Sequence, residues 1–483
     1  MKVSGFRANR LLANPTKSLY DTPMPTISQI LNRGWQLQQA GQLDEAEQHY
    51  RSVLAKSPKH ADALVYLGIV LFDRREFEQS VDVYREAIGI QPTYPIAWNN
   101  LGNSLRMLGR VDEAEECFEE SLKQKPDYLS ALKNRGTLWV WSGEIERGLH
   151  WYEKGLEYDP GNAELHRNLG VIQLLLGNYE QGWPEYRWRW KTPGLVRPPV
   201  SSPIWTGQSL EGKRILIYPE QGLGDTIQFV RVAAGLKRLG AHVILQCSQS
   251  LLPLFTSAPC VDEWTLDAVP PPVVDFHASL IEVVDVLYQL SGELYWGEDL
   301  FSGQQGYLTV SNPLIDYWKA WLGDHTDAQK RCIGINWQGN PDHHADVYRS
   351  VPLEILQPLS RLPNIQLVNL QFGYGSEQLE NCEFKDSILR LPQHVDQDDG
   401  AFTDTTAILH SLDGVVTTDT AIAHLSGAVG AKVTMMLGRV PDWRWLLEGS
   451  ATRWYPSMKL VRQAKLDDWS DVVQVITDQL AGE

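Results

Sequence analysis

A glycine recurs every 34 residues through the first part of the chain, at Gly34, Gly68, Gly102, Gly136 and Gly170. An aromatic residue keeps the same step, at Tyr50, Tyr84, Phe118, Tyr152 and Tyr186. A proline does the same, at Pro58, Pro92, Pro126 and Pro160. Ala46 and Ala114 provide further small residues between these columns. Small residues let two helices approach closely, and the aromatic ring fills the adjacent space. Three columns in phase over five units therefore predict an array of helix pairs.

This pattern resembles the tetratricopeptide repeat, in which each unit of 34 residues folds as two antiparallel helices. The resemblance covers about residues 27–190 and predicts an α-solenoid of five repeats over residues 27–194. Residues 1–26 are then a separate N-terminal segment, with disorder as one interpretation.

The array ends in a segment that is dense in tryptophan, with Trp183, Trp188, Trp190 and Trp205. Because a terminal repeat needs a cap, we expect these rings to seal the array against the next domain. Carbohydrate stacking is the alternative. The proline-rich residues 193–203 follow as a stiff connector.

An asparagine stands two positions before four of the five repeat glycines, at Asn32, Asn100, Asn134 and Asn168. An amide side chain offers both a donor and an acceptor, so a row of them can clamp an extended peptide backbone. A similar asparagine ladder lines the superhelix of eukaryotic O-linked N-acetylglucosamine transferase. These four residues are therefore candidate acceptor-binding residues, with helix packing as the alternative reason for asparagine at this position.

The charge is distributed unevenly along the chain. The net charge is −17 overall, but it is −2 for residues 1–194 and −15 for the remainder. An acidic second half argues against binding to nucleic-acid backbones. The five cysteines have no metal-type spacing, no apolar run reaches the length of a membrane span, and the N-terminus lacks a signal-peptide core. A cytoplasmic protein without a transmembrane segment is the expectation.

After Lys213 the pattern changes to short apolar runs that alternate with helical segments. A first series of predicted strands includes residues 214–220 and 242–247, and a second includes residues 332–337, 365–371, 413–419 and 432–437. Alternation of this kind predicts parallel sheets. The expected architecture is two Rossmann-like domains, 195–325 and 326–483, that face a cleft. Ligands of such sheets bind at the carboxyl ends of the strands.

Two motifs follow predicted strands. In QGLGDTIQFVR, Gly222 and Gly224 allow close backbone approach and Asp225 opens a helix, either as a cap or as a proton acceptor. In TTDTAIAHLSGAVG, Asp419 and Thr420 precede a helix whose free N–H groups can bind a diphosphate, with His424 one turn further on. Capping and packing are the alternative roles in this second motif.

The succession of GLGDTIQF and DTAIAHLSGAVG resembles glycosyltransferase family 9, the heptosyltransferases of lipopolysaccharide synthesis. The segment between Pro441 and Gln463 is similar to bacterial proteins that join tetratricopeptide repeats to such a transferase. The resemblance implies a GT-B fold with the donor bound mainly by the C-terminal domain and no metal or other cofactor. It implies that Asp225 is the base and that Asp419, Thr420 and His424 hold the donor.

The chain departs from this family at two places. Ala421 stands where many heptosyltransferases have glycine, and the family's phosphate-binding lysine has no clear counterpart. Arg349 is our candidate substitute, because a planar guanidinium suits a diphosphate.

Further candidates come from loops after predicted strands. His277, expected in a cleft loop, is a candidate second base or sugar contact, with a solvated or core histidine as the alternative. Gln338 and Asn340 are candidate donor contacts in the long polar loop. Arg439 and the segment 442–444 are expected to line one side of the nucleotide pocket. The histidines and aspartates of residues 342–346 fit no standard metal spacing.

These observations predict a metal-independent, inverting glycosyltransferase that moves a sugar from a nucleotide-sugar to an acceptor hydroxyl, on a protein recruited by the repeats. A lipid-linked or polysaccharide acceptor is the alternative within this class. An inactive repeat scaffold with a nucleotide-sugar-binding domain is the alternative outside it. The sugar, the nucleotide, the acceptor and the oligomeric state are not determined by the sequence.

Overall fold

The computed structural model describes residues 25–220, 222–301, 306–343, 345–398, 400–466 and 468–482. The predicted N-terminal segment 1–26 therefore lies almost wholly outside the described residues, as do Gln221 of the glycine loop and His344 of the polar loop.

Consecutive helices pack in pairs through the described part of the repeat array. Their bounds are α1 (Ile27–Gln39), α2 (Leu43–Lys56), α3 (Ala61–Asp73), α4 (Phe77–Ile90), α5 (Pro95–Met107), α6 (Val111–Gln124), α7 (Leu129–Trp141), α8 (Ile145–Tyr158), α9 (Ala163–Leu175) and α10 (Tyr179–Tyr186). A short 3₁₀ helix, Arg187–Lys191, follows. The predicted array of helix pairs is confirmed.

Steric contact explains the glycine and aromatic columns. A Cβ atom on Gly34 would lie 2.5 Å from Cε1 of the Tyr50 ring, and a Cβ on Gly68 would lie 2.5 Å from the same atom of Tyr84. At Gly170 the obstructing atom is a backbone nitrogen, 2.4 Å away. Glycine is thus required at these positions because the second helix of each pair lies directly on the first.

The chain divides into two compact units between Pro126 and Asp127. The first unit contains α1 to α6. Its core around the first two repeats includes Tyr50, Val53, Leu67 and Val70. At its surface Arg74 pairs with Glu47, which anchors α2 to the end of α3.

The second unit contains the last two repeats together with both predicted α/β regions, and these share one hydrophobic core. Trp183 is 1% exposed and packs edge-on against Trp443, with ring centroids 5.5 Å apart. The Arg189 guanidinium donates to both carboxylate oxygens of Glu220, at 2.6 and 2.9 Å, with both side chains buried. The expectation that the tryptophan-rich segment seals the array against the next domain is confirmed for Trp183.

The first sheet is fully parallel, with strand order β3-β2-β1-β4. Its strands are β1 (Arg214–Tyr218), β2 (His242–Cys247), β3 (Glu263–Leu266) and β4 (Phe276–Ser279). Its helices are α11 (Leu223–Phe229), α12 (Val232–Arg238), α13 (Leu252–Phe255) and α14 (Leu280–Ser291). α14 begins with a capping box in which Ser279 and Glu282 satisfy each other's backbone N–H groups.

The helical pattern of the sequence DTIQFVRVAAGLKRLG predicts one helix over residues 225–240, and this prediction is wrong, because α11 and α12 are separate. At the start of α12, the N–H groups of Ala233 and Ala234 bond the carbonyls three residues back, at Val230 and Arg231. The Arg231 side chain is fully buried there and donates to the carbonyls of Gln228, Trp296 and Trp454. The break thus places a buried cation where it satisfies carbonyl groups of distant segments.

The second sheet has six parallel strands in the order β10-β9-β8-β5-β6-β7. The strands are β5 (Arg331–Asn336), β6 (Ile365–Asn369), β7 (Ile388–Leu389), β8 (Gly414–Thr418), β9 (Val433–Leu437) and β10 (Met458–Arg462). The helices of this part are α15 (Asn312–His325), α16 (Asp346–Arg349), α17 (Gln357–Ser360), α18 (Gln378–Asn381), α19 (Thr403–Leu409), α20 (Ala421–Val429) and α21 (Ser470–Gly482). α20 ends at Gly430, whose φ of 86° provides a left-handed cap.

The α/β character predicted for the second half is confirmed by these two parallel sheets. Among the described helices, none is both long enough and apolar enough to cross a membrane.

Candidate functional site

The two sequence motifs come together where α11 and α20 begin. The two helices pack directly against each other. A Cβ atom on Gly224 would lie 2.8 Å from Cδ2 of His424 and 3.4 Å from Cα of Ala421. Gly222, by contrast, is exposed. Gly224 is thus required for contact between two helices of the second unit, whereas a Cβ on Gly222 would meet only Oδ2 of Asp225, at 3.6 Å.

Asp225, the expected base, is held by two partners. Its Oδ2 accepts a hydrogen bond of 2.9 Å from the N–H of Gly222, the N-cap residue of α11. Its Oδ1 forms an ion pair with the Arg444 guanidinium. The carboxylate remains 17% exposed. Asp225 is thus not the N-cap residue itself, but from the third position of α11 it satisfies the N–H of the N-cap, and part of its carboxylate stays accessible.

Arg444 links this carboxylate to a second one. Its Nη1 lies 2.8 Å from Oδ1 of Asp442, and its guanidinium lies 5.1 Å from the centre of the Phe229 ring. The side chain is 7% exposed, and burial lowers the pKa of Arg444 to about 10. Arg444 is therefore still a cation at neutral pH, fixed between Asp225 and Asp442.

The start of α20 is organised by Asn336 at the end of β5. Its Oδ1 accepts hydrogen bonds from the hydroxyls of Thr420 at 2.8 Å and Thr417 at 3.1 Å. Its Nδ2 donates to Oε1 of Gln371 at 2.7 Å. The Thr420 hydroxyl proton is therefore directed to Asn336. This asparagine lies outside both motifs, and the signal that could have indicated it is its position at the carboxyl end of a buried strand.

Arg349, the candidate phosphate-binding residue, lies at the same helix start. Its Nη1 donates to the backbone carbonyl of Asp419 at 2.9 Å, and its Nε lies 3.5 Å from Oδ1 of Asp346. The side chain is 23% exposed, so part of the guanidinium is accessible. A cation thus stands beside the positive end of the α20 dipole, which is an arrangement suited to anions.

Burial shifts the protonation of the groups around α20. Burial, with help from Arg231 and Arg349, lowers the pKa of His424 to about 3, so its imidazole is neutral. That ring bonds the Tyr455 hydroxyl through Nδ1 at 3.0 Å, and its Nε2 lies 3.7 Å from Oδ1 of Asp419. Burial also raises the pKa of Asp419, although Arg349 opposes the rise. His424 is therefore a hydrogen-bonding group and not a cation for phosphate.

Asp442 carries the other perturbed carboxyl group. Burial, and then repulsion from Asp419, raises the pKa of Asp442 to about 7. A third of its side-chain surface is exposed, and solvent there moderates the increase. Carboxyl groups with such shifted pKa values concentrate at functional sites. The sequence indicated Asp442 only as part of a pocket wall.

His277 is not in a cleft loop, and that expectation is wrong. It is the second residue of β4, is 5% exposed, and its backbone N–H and C=O bond to Pro203 and Trp205 of the connector. Its Nδ1 lies 3.1 Å from the Tyr218 hydroxyl. Burial, with Arg197, lowers the pKa of His277. The buried and hydrogen-bonded interpretation of this histidine is the one that the structure favours.

The remaining donor candidates are engaged elsewhere. The Gln338 Oε1 accepts a hydrogen bond of 2.7 Å from Gln378, and the exposed Asn340 accepts one of 2.9 Å from the Asp342 N–H. Arg439 donates to the Ala464 carbonyl at 2.7 Å and lies against Gly143 of the fourth repeat. Arg439 therefore contacts the repeat array, which explains its position after β9 without a nucleotide.

Among the described residues, no group of three or more histidine, cysteine, aspartate or glutamate side chains is arranged to hold a metal ion. The metal-independent chemistry expected from the sequence stays a prediction. A separate cavity of about 1170 Å³ has hydroxyl groups and one carboxylate on its wall, among them Ser250, Ser257, Thr309, Tyr317 and Asp398. The candidate residues of the two motifs do not line it.

The candidate ladder residues are divided between the two units. Asn32 is exposed, whereas Asn100, Asn134 and Asn168 are half-buried. The Asn100 side chain hydrogen-bonds the buried Tyr84 hydroxyl and accepts a bond of 3.0 Å from Asn99. The packing role that the sequence left open therefore applies at least to Asn100.

Comparisons with known proteins identify the repeats. Sequence models of the tetratricopeptide repeat match residues 31–95, 95–128 and 151–183. The chain is 26% identical over 307 residues to Protein FlbA of Caulobacter vibrioides, an alignment that covers 58% of this chain and 48% of that protein. The chain thus spans about half the length of the curated relative that it matches.

Solved structures that resemble the chain cover about a third of it. MamA is 19% identical with a TM-score of 0.29, and the alignment covers 33% of this chain and 92% of MamA. TTC0263, a thermophilic TPR protein of Thermus thermophilus, is 17% identical with a TM-score of 0.33, and the alignment covers 35% of this chain and 92% of TTC0263. YrrB, described as a TPR protein with an unusual peptide-binding site, is 19% identical with a TM-score of 0.28. Its alignment covers 34% of this chain and 86% of YrrB. The matching repeat models and the two parallel sheets show that the chain combines tetratricopeptide repeats with an α/β region.

Proposed function

We propose that this chain is a metal-independent, inverting glycosyltransferase of the GT-B type, which moves a sugar from a nucleotide-sugar donor to an acceptor hydroxyl. The observation that carries the proposal is the meeting of the α11 and α20 starts, where Asp225 stands beside Arg444 and Arg349 is bound to the Asp419 carbonyl. A carboxylate, two cations and a helix N-terminus in one place match what glycosyl transfer from a diphosphate requires.

The donor diphosphate would rest on the N-terminal turn of α20 and on the accessible part of the Arg349 guanidinium. Since the Thr420 hydroxyl donates to Asn336, backbone N–H groups and Arg349 are the expected phosphate donors. As the bond between the anomeric carbon and the diphosphate oxygen breaks, negative charge grows on that oxygen. The same positive groups would then stabilise the departing nucleoside diphosphate.

Asp225 would accept the proton of the acceptor hydroxyl as that oxygen bonds to the anomeric carbon. A carboxylate has about four lone-pair positions, and the Gly222 N–H and Arg444 occupy two of them. The adjacent Arg444 guanidinium holds the carboxylate in a fixed orientation at the start of α11. Inversion follows because the hydroxyl attacks from the side opposite to the leaving diphosphate.

Asp442 is a second candidate for the base. General-base catalysis is most efficient when the pKa of the base lies near the working pH, and the pKa of Asp442 is raised to about 7. Both carboxylates contact Arg444, so either could serve a hydroxyl placed beside that guanidinium.

The donor site can be tested with purified protein and UDP, GDP, ADP, CMP and dTDP in a thermal-shift screen. We expect at least one of them to raise the melting temperature, since a ligand at about 100 times its dissociation constant stabilises by roughly 2.7 kcal/mol. Arg349→Ala should weaken that nucleotide by about 10- to 100-fold, the range for a charge-assisted hydrogen bond. Equal affinity in the variant would place the diphosphate elsewhere.

The two candidate bases can be separated by matched variants. Asp225→Asn keeps an oxygen that can accept the hydrogen bond of the Gly222 N–H, and it removes the base. Asp442→Asn likewise keeps an oxygen that can accept from Arg444 and removes the carboxylate. We expect the true base variant to lose about 10²- to 10⁴-fold in turnover with nucleotide affinity nearly unchanged. Activity within a few-fold of wild type in both variants would remove both carboxylates from the mechanism.

For the acceptor we propose a protein, recruited by the repeat array. The exposed Asn32 and the half-buried asparagines at the same repeat position support this choice. A lipid-linked or polysaccharide acceptor is the alternative, and an inactive scaffold is the alternative to transfer itself. Release of nucleoside diphosphate from a donor sugar by the purified protein separates an enzyme from a scaffold, because a scaffold releases none.

A further inference from the structure

The fourth repeat, α7 with α8, touches the segment that carries Arg349. The Trp141 ring, at the end of α7, stacks on the Tyr348 ring with centroids 4.4 Å apart and planes at 8°. Tyr348 is the residue before Arg349 and is 9% exposed. On its backbone side, a Cβ atom on Gly438 would lie 2.4 Å from the Tyr348 carbonyl oxygen. The end of α16 is thus held between a repeat and the segment after β9.

α16 depends on such contacts for its position. It is one turn of four residues, and no side chain caps its N-terminus. An isolated turn of this length is unstable, because helix nucleation costs more than one hydrogen bond returns. The Arg349 guanidinium reaches the Asp419 carbonyl from this turn, so a shift of the turn would move the cation relative to α20.

A second contact of the same repeat lies close by. Gly143, in the turn between α7 and α8, has a φ of 88°, and a Cβ there would lie 2.3 Å from Nε of Arg439. The fourth repeat therefore touches both Tyr348 before β6 and Arg439 after β9.

From this geometry we propose that Trp141 is a positioning residue, which holds Arg349 in place to bind the donor diphosphate by stacking on Tyr348. The inference rests on the proposed function, since it assigns a repeat residue to the same donor site. The fourth repeat would then contribute to binding of the donor as well as to recruitment of the acceptor.

The test uses the full chain and whichever of UDP, GDP, ADP, CMP and dTDP most raises the wild-type melting temperature. Trp141→Ala should weaken that nucleotide by about 3- to 10-fold, the range of a lost aromatic pair. Trp141→Phe, which retains a stacking ring, should restore most of the affinity. Trp151→Ala is the matched control, because its ring stays within the same repeat against Arg135 and Lys154.

A double-mutant cycle distinguishes positioning from general loosening. If Trp141 acts through Arg349, Trp141→Ala should change the affinity by less than about twofold in an Arg349→Ala background. Equal effects in both backgrounds, or a loss in Trp151→Ala as large as in Trp141→Ala, would overturn the positioning role while the donor site stands. An Arg349→Ala variant that binds the nucleotide like wild type would overturn the proposed donor site, and the positioning role with it.

Discussion

The first three repeats and the last two share the same spacing of glycine and aromatic residues, yet they belong to different bodies of the molecule. Repeats one to three lie in the first compact unit, which contains a core of its own. In the fourth and fifth repeats, residues such as Ile145, Leu165 and Ile172 lie in one core with strand residues such as Ile217 and Met435. The repeat columns determine how two helices pair, and they do not determine what the outer faces of the pair contact.

Residues outside the columns account for the difference. Trp183 inserts against Trp443, and Arg187 pairs with the buried Asp285 through two hydrogen bonds of 2.6 and 2.9 Å. Arg189 and Glu220 form a buried pair. Breaking such a pair on one side leaves an unpaired charge in the interior, which is strongly destabilising. The last two repeats are therefore integral to the α/β region.

The largest expected effect follows from cutting the chain at this division. Removing residues 1–126 should leave a folded unit 127–483 that still binds the nucleoside diphosphate, because its core is self-contained. Removing residues 1–190 should abolish cooperative unfolding, since it exposes the surfaces that contact Trp183 and Arg189. Melting curves and nucleotide thermal shifts of the two shortened chains measure this.

The opposite result would be informative. If residues 191–483 alone melt cooperatively and bind nucleotide as the full chain does, the α/β region folds without the last two repeats. The last two repeats would then not differ from the first three in being needed for that fold.

The periodic part of the fold was predictable, and its breaks were not. The repeat columns predicted the ten helices of the array, and apolar runs located β1, β2, β5, β6, β8 and β9. The break between α11 and α12 was missed because Arg231, a charged residue in a helical pattern, is satisfied by carbonyls distant in sequence. Strands β3 and β10 lie at sheet edges, where partial exposure weakens the apolar pattern.

The candidate site shows the same limit. Both motifs follow predicted strands at their carboxyl ends, which is where ligands of such sheets bind. In the structure, the helices that the two motifs begin, α11 and α20, contact each other. The pairing of Asp225 with Arg444 joins residues far apart in sequence, and no local spacing indicates it. His277 was misplaced because a polar residue two positions after Asp275 is typical of a loop, whereas the Tyr218 hydroxyl makes it acceptable within β4.

The second prediction compares one tryptophan from each set of repeats. Trp183→Ala should destabilise the second unit by about 3–5 kcal/mol, the cost of deleting a large buried ring. Trp35→Ala in the first repeat, where the ring is 41% exposed and lies 5.8 Å from Tyr66, should cost less than about 1.5 kcal/mol. Denaturant unfolding of the full-length variants measures both, and comparable losses would contradict the difference in burial.

The third prediction uses the perturbed carboxyl groups of the two units. The pKa of Asp442 is raised by burial and by Asp419 to about 7, so the folded chain binds more protons than the unfolded chain between about pH 4 and 7. The free energy of unfolding therefore falls as pH rises through that window. Asp442→Asn should gain melting temperature relative to wild type as the pH rises from about 4.5 to about 7.5, and change little further above that.

Asp73 provides the matched variant in the first unit. Burial raises the pKa of Asp73 as well, but the Gln38 amide donates to its carboxylate at 2.8 Å and opposes the rise. Asp73→Asn should therefore show the same sign with a smaller change across the same pH range. A relative melting temperature of Asp442→Asn that stays flat with pH would show that Asp442 ionises normally in the folded protein.

The smallest expected effects concern the candidate ladder asparagines, of which Asn32 and Asn100 lie in the first unit and Asn134 and Asn168 in the second. If the array delivers a protein acceptor, Asn32→Ala with Asn100→Ala should raise the KM for that acceptor and leave the donor KM unchanged. Each lost amide contact corresponds to about 0.5–1.5 kcal/mol, or roughly 2- to 12-fold. Asn134→Ala with Asn168→Ala tests the same position in the two repeats that belong to the second unit.

The two pairs need different controls, because the asparagines have different surroundings. Asn100 hydrogen-bonds the buried Tyr84, so its removal costs some stability, whereas Asn32 is exposed. Asn32→Ala alone is therefore the cleaner test of binding by the first unit. If it raises the acceptor KM at unchanged melting temperature, the first three repeats bind the acceptor while the last two support the donor site. Unchanged constants in both pairs would mean that asparagine at this position serves helix packing, and the acceptor would then reach the α/β region by another surface.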